Sequence, residues 1–236
     1  MNQAQRPRID YRGLFAQTRA DLLSGKAICM VDEHGRPLDL ARYLTTVSFV
    51  GQNLDFMRPD LVETVTRLRS TGGVHVYDRG RPHLTFVVIR RLEDSEGTIS
   101  PEELAEVRNA LVDTLAEPDG PIVLTRAAIG LSLASVLVHL ADPHGTMGRL
   151  RLSFQERLKR LGYPPSPGFS VNRTHVNLAR FTPLTNFKAL ASSLEETDIL
   201  LGDDFGLDSV FLEIADAVQS QESVLIGRVP LTRASC

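Results

Sequence analysis

Hydrophobic residues recur along this chain with two periods, one typical of strands and one typical of helices. The run YLTTVSFV (43–50) is rich in β-branched and aromatic residues and predicts a strand, and VHVYDRGRPHLTFVVI (74–89) predicts two strands around an Asp-Arg-Gly turn. Between these runs, Leu61, Val65 and Leu68 lie at helical spacing and two glycines follow them. The pattern therefore predicts a strand, a helix and two further strands, in that order.

The clearest predicted helix is SPEELAEVRNALVDTLAE (100–117). Ser100 can cap its first turn, Pro101 suits the first helical position, and Glu103 completes a capping box. The buried face of this helix is predicted to carry Leu104, Val107, Leu111 and Leu115.

The second half of the chain repeats this plan with variations. Its predicted elements are two strands around a turn (121–142), a helix (147–162), a rigid YPPSPG loop (163–168), a strand NRTHVNLARF (172–181), a weaker helix (186–196) and two closing strands (207–215 and 222–231). The segment GDDFGLD (202–208) lacks the alternating ligand spacing of a calcium-binding loop, so a turn is predicted there.

Residues 1–40 are predicted to form an N-terminal extension, and residues 41–236 the main domain. The extension contains a short amphipathic helix within DYRGLFAQTRADLLSG (10–25), followed by turn-forming residues in DEHGRPLD (32–39). Its first residues are polar and lack the apolar stretch of a signal peptide.

Composition narrows the classes of function. The chain contains no run of about 18 apolar residues, so no membrane span is predicted. The net charge of −3 argues against a protein that coats long nucleic acids. A local basic pocket for one or two phosphates remains compatible with this charge. Cys29 and Cys236 are too few for a disulfide framework or a cysteine zinc site. We therefore expect a protein of the reducing cytoplasm.

Two short motifs of the same form carry the candidate chemistry. HLTF begins at His83 and HVNL begins at His175, 92 residues later, each in a predicted strand. Strand geometry places His83 and Thr85 on one face, and likewise His175 and Asn177, with the apolar residues turned to the core. A duplicated unit can bring two such strands together at a central cleft. The two imidazoles are then expected to face each other.

The paired motifs resemble those of the two-histidine (2H) phosphoesterase superfamily, which includes bacterial RNA 2′,3′-cyclic phosphodiesterases, also called 2′-5′ RNA ligase-like proteins. Its signature is a pair of His-apolar-Thr/Ser-apolar motifs about a hundred residues apart. HLTF matches in full, whereas Asn177 replaces the hydroxyl residue of the second motif. Many members carry an arginine five residues after the second histidine, where this chain has Arg180. The resemblance extends from about residue 43 to 230.

The resemblance implies an α+β fold of two similar lobes, each an antiparallel sheet flanked by helices, with a cleft between them. It also implies phosphodiester hydrolysis that needs neither a metal ion nor a cofactor. One histidine would activate water and the other would protonate the leaving oxygen, since imidazole titrates at about pH 6.5. The sequence does not distinguish the acid from the base.

Thr85 and Asn177 are the predicted donors to the non-bridging phosphate oxygens, and Arg180 is a predicted phosphate contact. Because five is an odd number, Arg180 would share the face of His175 only where the strand twists, bulges or ends. His75 and His139 are interpreted as strand residues that can also line the cleft, and His144 as a loop residue. Candidate aromatic residues for stacking a base are Tyr43, Phe49, Tyr77 and Phe181.

The leading prediction is a phosphodiesterase acting on a 2′,3′-cyclic phosphate, carried by a nucleotide or by a short RNA end. Two alternatives stay open at this point. One is an enzyme that uses the same cleft on a nucleotide-like metabolite. The other is a non-catalytic module that binds RNA ends or nucleotides.

Overall fold

The strands predicted from the period-two runs join into one antiparallel sheet that crosses the whole molecule. The structure is a computed structural model that describes residues 9–39, 41–78, 80–92, 99–116, 121–163, 174–195, 199–216, 218 and 223–231. Its strands are β1 (Arg42–Phe49), β2 (Val74–Val76), β3 (His83–Leu92), β4 (Val123–Leu131), β5 (Ser135–Ala141), β6 (Thr174–Phe181), β7 (Leu200–Gly206), β8 (Ser209–Asp216) and β9 (Val224–Pro230). Its helices are α1 (Tyr11–Leu23), α2 (Pro59–Thr71), α3 (Pro101–Leu115), α4 (Thr146–Arg160) and α5 (Phe187–Glu195).

The sheet consists of two quartets of strands that meet at β3 and β6. Its order is β7-β4-β5-β6-β3-β1-β8-β9, and the short β2 pairs with β6. We call the quartet β3-β1-β8-β9, with α3 and α4, the first lobe. The quartet β7-β4-β5-β6, with β2, α1, α2 and α5, is the second lobe. This α+β arrangement of two sheet-and-helix lobes confirms the predicted fold class.

The two lobes exchange elements, which the sequence pattern did not predict. β4 follows α3 of the first lobe in the chain but pairs with β5 and β7 of the second lobe. β8 follows β7 of the second lobe in the chain but pairs with β1 of the first lobe. Helix α2 follows β1 yet packs against β2 and α5 of the second lobe. Neither lobe is therefore a continuous piece of chain.

Most of the predicted elements are confirmed. Helix α3 begins with the predicted capping box, in which the Ser100 hydroxyl accepts from the Glu103 amide and the Glu103 carboxylate accepts from the Ser100 amide. The two strands predicted over 121–142 form the hairpin β4–β5. Cys236 lies outside the described residues, and so does the part of the YPPSPG loop that follows Tyr163.

The turn predicted at GDDFGLD is wrong, because residues 200–206 form strand β7 and pair with β4. The acidic residues of this segment bind neighbouring side chains. Asp204 accepts a hydrogen bond from the Thr125 hydroxyl at 2.5 Å, and Asp203 forms ion pairs with Arg58 and the fully buried Arg126. These carboxylates bind side chains of other elements, a role that composition alone does not reveal.

The described part of the N-terminal segment packs against the second lobe. Helix α1 forms as predicted, with Phe15 and Leu22 buried, and it contacts β4 and α5. Further along, the Ile28 amide donates to the Leu133 carbonyl of the β4–β5 turn at 2.7 Å. The division of the chain near residue 40 stays a prediction. No helix among the described residues has the length and apolar character needed to span a membrane.

Candidate active site at the junction of the lobes

The two histidine motifs meet where β3 pairs with β6. Among the described residues, the ladder between these strands contains one pair, Leu84 opposite Val176, and both side chains are buried in the core. Residues on either side of such a pair project to the other face of the sheet. His83 and His175 therefore lie on the same face as cross-strand diagonal neighbours, which are about 7–8 Å apart in antiparallel sheets.

His83 lies in a pocket of aromatic rings. The residue is 5% exposed, and its ring makes edge contacts with Phe49 and Tyr77 at centroid distances of 6.3 and 6.1 Å. Nδ1 lies 2.9 Å from the Arg81 carbonyl oxygen, so Nδ1 carries the proton and donates it, leaving the lone pair on Nε2. Burial lowers the pKa of His83 to about 4, and the positive charges of Arg180 and His175 act in the same direction. His83 is therefore neutral at pH 7.

His175 has the opposite environment. It is exposed to solvent, and it lies opposite His139 in the ladder between β5 and β6. Because the charge of His175 contributes to lowering the pKa of His83, the two imidazoles are electrostatic neighbours. The pair thus combines a buried histidine, whose pKa is lowered, with an exposed histidine.

Asn177 is held by a chain of hydroxyl groups. The Ser135 hydroxyl donates to Oδ1 of Asn177 at 2.8 Å, and the hydroxyl oxygens of Ser132 and Ser135 are 2.7 Å apart. The amide of Ala134 donates to the Ser132 hydroxyl at 3.1 Å. Since the carboxamide oxygen is bound to Ser135, the NH₂ group of Asn177 points the other way. The side chain is therefore fixed as a donor.

Thr85 is half-buried on the same face. It follows Leu84, the partner of Val176, so the antiparallel pairing places it opposite His175. Its backbone carbonyl accepts from Nη2 of Arg151 at 2.5 Å. Its hydroxyl has no hydrogen-bond partner among the described residues, so it is available to a ligand. The arrangement gives the site one hydroxyl donor from β3 and one amide donor from β6.

A β-bulge places Arg180 on the face of the histidines. Val136 pairs with Ala179 and Leu137 pairs with Asn177, so the register skips Leu178 on β6. Leu178 and Ala179 are consecutive core residues, and Arg180 then projects to the site face. This is the bulge that the odd spacing of five residues requires.

The guanidinium of Arg180 is partly anchored. Its Nε donates to the Tyr77 hydroxyl at 3.0 Å, and Nη1 lies 3.5 Å from the sulfur of Met30. No described residue accepts from Nη2. The charge is near enough to lower the pKa of His83, as expected for a group that borders the same site.

The remaining predicted residues divide into site neighbours and others. His75 of β2 lies opposite Arg180 of β6, and its ring contacts Tyr77, so it borders the site. His139 also borders the site, because it lies opposite His175. His144 is an exposed loop residue. Among the described residues, no group of three or more histidine, cysteine or acidic side chains is placed to hold a metal ion.

Sequence reasoning missed three contributors to this site. Tyr77 was considered only for stacking, yet it is 2% exposed, packs on His83, accepts from Arg180 and donates to the Val218 carbonyl at 2.5 Å. Ser135 orients Asn177, and Arg151 binds the carbonyl of Thr85 from beneath the sheet. A polar residue that interrupts an apolar run, as Ser135 does in LASVLVHL, is a sequence signal that could have found one of them.

Comparison with known proteins identifies the fold. No family model matches the sequence, and no curated protein matches it. TT0787 of Thermus thermophilus is 16% identical, with a TM-score of 0.57 over 80% of this chain and 97% of that chain. E. coli LigT complexed with 3′-AMP is 14% identical, with a TM-score of 0.51 over 82% of this chain and 99% of that chain. E. coli LigT complexed with NADP+ has a TM-score of 0.50 at 14% identity, over the same shares.

This chain covers almost the whole of TT0787 and of E. coli LigT, at identities of 16% and 14%. The fold of this chain is therefore the fold of these two proteins.

Proposed function

We propose that this protein hydrolyses a phosphodiester by general acid–base catalysis with two histidines, and that the substrate is a 2′,3′-cyclic phosphate on a nucleotide or RNA end. The observation that carries the proposal is the unequal pair on one face of the sheet: a buried His83, whose pKa burial lowers, beside an exposed His175. Acid–base catalysis of this kind needs one neutral and one protonated group at the same pH.

The two environments support one assignment of the two roles. Nε2 of His83 carries the lone pair, so it takes a proton from water as the water oxygen attacks phosphorus. The bond between phosphorus and one ribose oxygen then breaks, and His175 gives its proton to that oxygen. The product is a nucleoside 2′- or 3′-phosphate, and proton exchange with solvent restores both imidazoles. His83 is therefore the base and His175 the acid.

Three groups are available to the negative charge that develops on the phosphate oxygens. The Thr85 hydroxyl and the Asn177 amide lie on the same face as the histidines, one from each lobe, and Arg180 supplies a positive charge. Donors fixed before the reaction stabilise the transition state without reorganising. The bond from Ser135 to Asn177 supplies this fixation on β6.

A nucleotide substrate is supported by the structural neighbours. E. coli LigT has been crystallised with 3′-AMP and with NADP+. The cleft of the same fold in this chain is therefore the place where we expect a nucleotide phosphate. Phe49, a half-exposed ring that contacts His83, suits a ligand with a flat base.

The experiment is turnover of 2′,3′-cyclic nucleotides, linear nucleotide diesters and short RNAs with a 2′,3′-cyclic end, with and without EDTA. We expect hydrolysis of the cyclic phosphates that EDTA leaves unchanged. His83→Ala and His175→Ala should each lower the rate by about 10²–10⁴-fold while the protein stays folded. Binding without turnover would favour a binding module, and turnover confined to another nucleotide-like metabolite would identify a different substrate. Activity that EDTA removes and a divalent metal restores would contradict the mechanism.

A further inference from the structure

The N-terminal segment covers the second-lobe side of the site. The ring of Tyr11 contacts the ring of His139 at a centroid distance of 5.3 Å, and Met30 contacts Arg180. Gly35 approaches His75 so closely that a Cβ on this glycine would clash with Nδ1 of the imidazole. Each histidine or arginine in these contacts borders the paired catalytic histidines on the second lobe. These contacts cover His139 and Arg180, whereas His75 also lines a pocket of about 320 Å³ on the second lobe.

The first lobe has a pocket beside His83. Its volume is about 440 Å³, which lies within the range of roughly 300–1,000 Å³ that is usual for small-molecule sites. Its lining includes the side chains of Phe49, Phe211, Arg228 and Gln52 and the exposed carboxylate of Asp208. Phe49 belongs both to this pocket and to the ring contacts of His83, so the pocket and the catalytic position are contiguous.

Two half-exposed phenyl rings and a guanidinium line this pocket. Phe49 and Phe211 are in edge contact at a centroid distance of 5.2 Å. The guanidinium carbon of Arg228 lies 5.6 Å from the centroid of Phe211, and Nε of Arg228 donates to the Ser209 hydroxyl at 2.8 Å. Aromatic rings and arginine planes are the groups on which proteins stack nucleobases. Gln52 is exposed at the rim and can bind the edge of a base.

The other aromatic candidates are excluded by their positions. Tyr77 is 2% exposed and Phe181 is fully buried, so neither offers a free face. Tyr43 lies opposite Arg91, near the far end of β1 from His83, and its hydroxyl donates to Asp39. Phe49 is the remaining candidate, and Phe211 extends its surface.

We infer that the pocket of Phe49, Phe211 and Arg228 binds the nucleobase of the substrate. The inference rests on the proposed function for the identity of the reacting group, since the phosphate is taken to lie between the two histidines. The pocket beside His83 favours a substrate of mononucleotide size, with its base on the first lobe. The site thus distinguishes a nucleoside cyclic phosphate from a sugar cyclic phosphate without a base.

The test compares ligands with and without a base. Calorimetric titration would measure adenosine 3′-monophosphate against methyl riboside 3′-phosphate, and turnover would compare the corresponding 2′,3′-cyclic phosphates. The variants are Phe211→Leu, which keeps apolar volume but removes the ring, and Arg228→Gln; neither residue is in ring contact with His83. Tyr43→Leu is the matched aromatic control outside the pocket. Melting temperatures would verify that each variant is folded.

We expect the wild type to bind the adenosine ligand on the order of 10-fold more tightly than the base-free ligand, as stacking on one base predicts. Phe211→Leu and Arg228→Gln should remove most of this preference without changing the affinity for the base-free ligand. Tyr43→Leu should keep the preference. Equal affinity for both ligands in the wild type would overturn the inference even if both cyclic phosphates are hydrolysed. A loss in Arg228→Gln alone, for both ligands, would indicate a phosphate site and would also overturn it. A preference for the base in the absence of any turnover would preserve the inference and contradict the proposed function.

Discussion

Two histidines in matching motifs differ because of what surrounds each side chain. His83 lies between Phe49 and Tyr77, and the loss of water from its imidazole dominates its titration. The Arg81 carbonyl favours the protonated form but does not offset this burial. His175 occupies the equivalent position on β6 and remains exposed. In the proposed mechanism, this difference of environment, with no difference of residue type, separates the base from the acid.

The first prediction concerns the pH dependence of catalysis. The base must be neutral, and its pKa is lowered to about 4, so activity should be lost only as the pH falls through that value. We expect kcat/KM for a 2′,3′-cyclic nucleotide to show no decline between about pH 7 and pH 5, since this parameter follows the free enzyme. Phe49→Ala admits water to His83 and should move the acid limb to higher pH. An acid limb near pH 6, at about the ordinary value for imidazole, in the wild type would contradict the assignment of the base.

The second prediction concerns Asn177 and its support. Removal of a hydrogen bond to a charged group costs about 1.5–3 kcal/mol, so Asn177→Ala should lower kcat/KM by roughly 10- to 100-fold. Asn177→Thr restores the hydroxyl found in the related motifs and should keep or raise activity on the cyclic nucleotide. Ser135→Ala should lower activity less, because it frees the amide without removing it. Ser70→Ala, an exposed hydroxyl on α2, is the control, and full activity in Asn177→Ala would remove this residue from the site.

At the scale of the elements, the sequence predicted the sheet face on which a side chain lies better than it predicted which strands pair. The positions of His83, Thr85, His175 and Asn177 followed from alternation because no bulge interrupts these short stretches. The position of Arg180 did not follow, since it depends on the register between β5 and β6. The exchange of β4 and β8 between the lobes was also beyond reach, because an apolar run shows that a strand is half-buried but not which strand it joins.

Arg151 compensates for the short ladder between β3 and β6. From α4 it donates to the carbonyls of Phe86 and Thr85 on β3 and, through Nη1, to the Thr174 hydroxyl on β6 at 2.8 Å. Arg151 is 1% exposed, and its bonds connect β3 with β6. A planar group with five N–H donors can connect three acceptors in this way, whereas a lysine cannot.

The third prediction is that Arg151 both stabilises the junction and positions the donors. Arg151→Met leaves buried acceptors unpaired, so it should lower the free energy of unfolding by on the order of 3 kcal/mol. It should lower kcat more than it raises KM, because Thr85 and His175 lose their relative placement. Arg149→Met, an exposed neighbour on the same helix, should change the free energy of unfolding by less than about 0.5 kcal/mol. Unchanged kcat in a folded Arg151→Met protein would assign this residue to stability alone.

At the scale of the whole molecule, paired motifs predicted two lobes and a cleft, but not how the chain divides between them. A duplicated pattern suggests two consecutive units, whereas the structure interleaves them through β4, β8 and α2. The N-terminal segment also lies on the second lobe, with Tyr11 and Met30 against site residues. Its few apolar positions gave no indication of where it would pack.

The fourth prediction follows from this exchange: the two lobes should unfold as one cooperative unit. Phe154 on α4 packs with Phe86 of the first lobe, and Phe56 packs with Phe205 of the second, with Phe154, Phe56 and Phe86 fully buried. Replacing either Phe154 or Phe56 by alanine should cost about 3–5 kcal/mol. Because β4 and β8 cross between the lobes, each variant should shift the same single calorimetric transition, with equal calorimetric and van't Hoff enthalpies. Phe154→Leu, which keeps most of the volume, should shift that transition less. Two transitions, with each variant moving only one of them, would show that the lobes are independent despite the exchange.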